Sequence, residues 1–160
     1  MDFDADSHIA ARFGHALQML SELIPFTVDR ELPRVVQIAC LEDWFTNHRL
    51  LVEFLLLKPP KNCSSARHFV PGWAPATSME GDLLKADYGF ASEHVAHIGT
   101  PKPIGTVANV APELLVLKAK FLFDVVQEFV DGLEEVEHPC GELIALGLEE
   151  AREYLGHALG

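Results

Sequence analysis

In the stretch EDWFTNHRLLVEF, three acids, a histidine and an arginine interrupt an otherwise apolar run. At 100° per residue, Glu42, Arg49 and Glu53 fall on one edge of a helix, and Arg49 can reach Glu53 one turn later. An isolated buried ion costs several kcal/mol, so charges on a covered edge must be paired. Two chemistries fit this edge. One is an ion pair within the helix at the core boundary; the other is a polar pocket in which Arg49 holds a ligand anion. His48 falls instead on the apolar stripe with Phe45 and Val52, where a hydrogen-bonded core histidine is expected. Trp44, one turn earlier, should be core as well.

A second group is EHVAHI, which sets His94 and His97 one turn apart on a helical face. With His48 or Glu42 they would make a metal site, because zinc accepts imidazole and carboxylate ligands. The chain has no H-E-x-x-H and no paired Glu-x-x-His motifs, so no metal is expected. G-x-S-x-G, G-x-x-x-x-G-K and G-x-G-x-x-G are also missing, and no nucleotide loop or cofactor is expected. In the loop HFVPGWAP, Phe69 and Trp73 should cover the core rather than stack on a base.

These groups must be positioned by helices. Ile9, Phe13, Leu17, Leu20 and Ile24 recur at helical spacing over 7–24, with Ser7 as cap and Pro25 as the stop. A longer periodic segment spans 29–57, with Asp29 as N-cap and Pro33 in the first turn. Its second half is apolar all round, which marks a helix surrounded by others. Residues 58–79, with four prolines, read as a long loop and the first place to seek a ligand rim. Further helices are expected over 80–98, interrupted near Gly89, over 112–136, and over 141–159 after Pro139. No run alternates polar and apolar residues between turns. The fold class is therefore all-α: one up-and-down helical bundle of four to five helices, a single domain over 1–160, with an irregular loop at about 58–79.

Composition sets the outer bounds. The 160 residues are enough for one core, and 49% hydrophobic with 22% charged residues is ordinary for a globular chain. No apolar run approaches the roughly 20 residues of a membrane span, and MDFDADSH lacks the basic start of a signal peptide. With three scattered cysteines and no C-x-x-C, reduced thiols and a cytoplasmic location are expected. Of the net charge of −12, residues 109–160 carry −8, with eleven acids against Lys118, Lys120 and Arg152. That disfavours nucleic acid, which selects clustered cations. A protein partner or a small anionic ligand fits better.

Two resemblances add expectations. Glu42, Phe45, Arg49, Leu51 and Phe54, then Ala66, Phe69 and Trp73, then Ala96-His97-Ile98 with Thr100, resemble a group of small bacterial helical proteins of uncharacterised activity. The match covers about 36–102; Asn47 stands where a histidine is frequent, and Ser64 and Ser65 where acids are usual. It implies a helical bundle, HEPN-like by analogy, in which Glu42, Arg49 and His97 approach one another as an internal polar cluster; Glu53, on the same helix edge as Arg49, is expected to join it. Separately, Arg152 and His157 resemble the Arg-x-x-x-x-His motif of HEPN-type ribonucleases. That likeness implies phosphate binding by Arg152, general acid–base work by His157 and a homodimer. Glu153 departs from the usual motif neighbour, and the surroundings are acidic. The leading expectation is thus a binding or interaction module, and the rival is a HEPN-like ribonuclease or toxin–antitoxin component.

Overall fold

The computed structural model describes residues 3–57, 63–75, 78–94 and 110–158. Among these residues there are six helices and no strand. Five are long: α1 (Phe3–Val28), α2 (Arg34–Leu56), α4 (Ser78–His94), α5 (Pro112–Glu135) and α6 (Gly141–His157). The sixth, α3 (Ala66–Phe69), is a single turn in the segment after α2. Each long helix packs on the one before and the one after it, and α6 returns to α1. That ring of sequential neighbours is the order of an up-and-down bundle.

The core centres on α5, whose Leu115, Ala119, Leu122, Val126, Phe129 and Leu133 are buried at helical spacing. Phe129 is the meeting point of four elements. Its ring lies 6.1 Å from Phe13 of α1, 5.8 Å from Phe54 of α2, 6.4 Å from Phe69 of α3 and 5.2 Å from Trp73. Aromatic pairs at these separations contribute about 0.5–1.5 kcal/mol each beyond the area they bury. Two buried indoles add directed bonds. Trp44 Nε1 donates to the Leu20 carbonyl (2.8 Å), joining α2 to α1, and Trp73 Nε1 donates to the Leu55 carbonyl (2.8 Å). Phe69 and Trp73 therefore strap the segment after α2 onto the core, and residues 63–75 are a cover rather than an open rim.

Several boundaries differ from those read in the sequence. α1 begins at Phe3, so Ser7 lies inside it, and it continues through Pro25 to Val28. Proline in a last turn costs only the bond to the Ser21 carbonyl, and Thr27 Oγ1 closes the end on the Ile24 carbonyl (2.7 Å). Pro33 is the N-cap of α2 rather than part of its first turn. Asp29 instead organises the turn before it, where its Oδ1 accepts the Glu31 amide (2.9 Å) and its carbonyl accepts Gln37 Nε2 (2.8 Å). α4 passes through Gly89 without a break, since packing on α2 and α5 outweighs the roughly 1 kcal/mol that glycine costs a helix. Leu50 is half exposed, so the second half of α2 is not covered on every side.

At the α5–α6 turn, Glu137 adopts φ 52°, and the His138 amide reaches back to the Leu133 carbonyl (2.9 Å), a left-handed helix cap. His138 Nδ1 accepts the Cys140 amide (3.2 Å), its ring rests on Phe69, and Nε2 lies 3.9 Å from Asp6 of α1.

α1 and α6 approach closely where glycine faces glycine. A Cβ on Gly147 would lie 3.0 Å from the Gly14 Cα, whereas a Cβ on Gly14 would meet nothing within 4 Å. The same contact should thus respond oppositely from its two sides. Gly14→Ala should raise stability by up to about 1 kcal/mol through helix propensity. Gly147→Ala should lose that gain and more to backbone overlap, with a net cost of about 1 kcal/mol. Urea denaturation of the two variants measures both signs.

Candidate functional site

The polar groups that the bundle gathers lie where α2, α4 and α5 meet. His48 is 0% exposed, stacked on Trp44 with ring centroids 5.1 Å apart and 19° between planes. Among the described residues neither of its ring nitrogens has a hydrogen-bond partner. Burial pushes its pKa down to about 3, and the Lys118 ammonium of α5 adds to the shift. His48 is thus a core residue, as its place on the apolar stripe predicts, but it lacks the hydrogen bond expected for one.

Arg49, the next residue, turns toward α4. Its guanidinium carbon lies 5.4 Å from the centre of the Tyr88 ring, a cation–π contact. Its Nε is buried and, among the described residues, makes no hydrogen bond. Beside Tyr88, Asp87 accepts a charged hydrogen bond from Lys118, with both side chains more than four-fifths buried. Among the described residues the junction thus brings together the Arg49 guanidinium, the Lys118–Asp87 pair and a neutral imidazole.

The intrahelical ion pair is not formed: among the described residues, no salt bridge joins Arg49 to Glu42 or Glu53. Glu42 is exposed and Glu53 half-buried, so both carboxylates keep water as a partner. His97 and the side chain of His94 lie outside the described residues, so neither His97's part in the cluster nor its pairing with His94 on a metal is assigned. Among the described residues no three His, Cys, Asp or Glu side chains are grouped to hold a metal. Cys40, Cys63 and Cys140 are free thiols.

Arg152 and His157 lie on α6. Arg152 Nη1 donates to Gln127 Oε1 (2.7 Å) and Nη2 lies 3.9 Å from Asp124 of α5. His157 is exposed in the last turn of α6.

Lys118, Asp87 and Tyr88 were not singled out by the sequence reading. A signal existed for Lys118: it lies three residues after Leu115 and four before Leu122, on the edge of the buried stripe of α5, where an ammonium needs a carboxylate. Asp87 and Tyr88 carry no such mark, because α4 has few buried residues to define a stripe. No family model, no curated protein and no solved structure matches the chain. Among the described residues, no helix is long and apolar enough to cross a membrane.

The bare imidazole of His48 fixes a pH dependence. Its pKa is about 3 when folded, against about 6.5 when unfolded, so between these values the unfolded chain binds a proton that the native state does not. Stability should fall as pH drops from 6.5 toward 3, by about 1.4 kcal/mol per pH unit from this group. Urea denaturation from pH 7 to pH 4 should show a slope one proton shallower in His48→Leu. That variant should match or exceed the parent at pH 7, because no hydrogen bond is lost.

Proposed function

We propose that the protein is a binding module that takes a small anionic ligand at the junction of α2, α4 and α5. The observation that carries this reading is Arg49. A half-buried guanidinium has its Nε buried without a hydrogen bond among the described residues, forms no salt bridge with Glu42 or Glu53, and rests on Tyr88, the neighbour of the Lys118-bonded Asp87. A purely structural arginine in that position would be neutralised, since a buried donor without an acceptor costs about 1–3 kcal/mol. An anion on Arg49 removes that cost. Tyr88 holds the guanidinium by its ring, 5.4 Å from the guanidinium carbon. Glu42, Glu53 and His97 complete the cluster in this reading, with the two carboxylates at its solvent side. The location that fits such a module with reduced thiols is the cytoplasm.

The ribonuclease reading of Arg152 and His157 has weaker support, because residues 109–160 carry eleven acids against three cations, a balance that disfavours the polyanionic backbone of RNA. It keeps a simple test: purified protein should leave single-stranded RNA intact.

Inorganic phosphate is the probe for the anion site. It should raise the Tm of the parent in proportion to the logarithm of its concentration above saturation. Arg49→Met should abolish that rise and leave stability without phosphate within about 1 kcal/mol of the parent, because the methionine fills the same space with no stranded donor. Loss of several kcal/mol in Arg49→Met would instead mark the arginine as one half of a structural pair.

A further inference from the structure

A groove of about 430 Å³ opens between α5 and α6, apart from the α2–α4–α5 junction. Its apolar walls are Val116, Phe123 and Leu155, and its charged residues are Lys120, Asp124 and Arg152. The charge distribution is unusual for this end of the chain. Residues 109–160 hold three cations and eleven acids, yet two of those cations line the groove and only one of the acids does. That acid, Asp124, faces Arg152. Gln127 and Asp124 together hold the guanidinium in place with donors to spare, since Arg152 has five N–H groups. Lys120 is exposed and, among the described residues, has no ion-pair partner. Gly156 keeps the groove open, because a Cβ there would meet nothing within 4 Å.

The geometry points to a second binding site here, for a small amphipathic monoanion: one carboxylate between Lys120 and Arg152, on a short apolar body that covers Val116, Phe123 and Leu155. The volume lies in the range of small-ligand pockets, and apolar walls with a few convergent polar groups are their usual lining. A fixed arginine fork suits a carboxylate, and the free lysine adds charge without demanding a geometry. The site is independent of Arg49, so either proposal stands if the other fails.

Octanoate is the probe, with 1-octanol as its uncharged counterpart. Octanoate should bind saturably in calorimetry, with NMR shift changes concentrated at Val116, Phe123, Leu155 and Gly156. Octanol should bind at least tenfold more weakly. Lys120→Gln and Arg152→Gln should each weaken octanoate about tenfold. Gly156→Leu should abolish binding without loss of stability, because the leucine fills open space on a helix that favours it over glycine. Equal binding of octanol, retained binding in Gly156→Leu, or shifts at Arg49 and Tyr88 in place of the groove would each overturn the assignment. So would a concentration-dependent dimer, seen by sedimentation, that Gly156→Leu dissociates, since the groove would then belong to a second copy of the chain.

Discussion

The placement of α2 constrains most of what this molecule can do. The helix is pressed against α1, α4 and α5 at once, and the Trp73 indole donates to its Leu55 carbonyl near the C-terminal end. Trp44 fixes its rotation by donating to Leu20. A polar residue on one of those three packed sides cannot turn toward water at no cost, so it is committed to a neighbour. Asn47 satisfies itself locally, on the Asp43 carbonyl (2.9 Å). Glu42 and Thr46 escape because their edge faces out. His48 and Arg49 have neither solution, and it is their position that α4 and α5 must answer.

The answer differs for the two. His48 is met by an indole face and a lysine, so it stays neutral and behaves as a flat aromatic ring with two idle nitrogens. Arg49 cannot become neutral, and among the described residues it is met by a tyrosine face rather than a carboxylate. The carboxylate available, Asp87, is engaged with Lys118. A residue that is ionised, half-buried and under-bonded is costly to keep, and natural chains concentrate such costs at sites where something binds.

The sequence carried the fold well, and the site less so. Of the stripe Ile38, Leu41, Phe45, His48, Val52 and Leu55, all but the half-buried Ile38 are buried as the spacing predicts, and the helix expected over 112–136 is α5. Helix ends were less legible, because capping was read from residue type alone. Ser7 and Asp29 can cap a helix, yet packing extends α1 beyond Ser7, and the turn ahead of α2 claims Asp29. Arg49 was legible as an exception to an apolar helix. What faces it was not, because Tyr88, Asp87 and Lys118 come from helices whose rotation depends on long-range packing. The ion pair with Glu53 was the natural reading of a four-residue spacing, but that spacing fixes only proximity along one helix. It does not say which way the arginine turns when an aromatic face is offered across the interface.

The proposed anion site rests on the Arg49 guanidinium, whose Nε–H is buried without a hydrogen bond among the described residues. The most direct measurement is the Arg49 Hε resonance followed by ¹⁵N-edited NMR while inorganic phosphate is added. A saturating downfield shift of Arg49 Hε, with the Lys118 Nζ signal changing at the same midpoint, is the predicted result. A resonance that stays fixed while those of exposed arginines such as Arg12 and Arg67 drift with phosphate would contradict it.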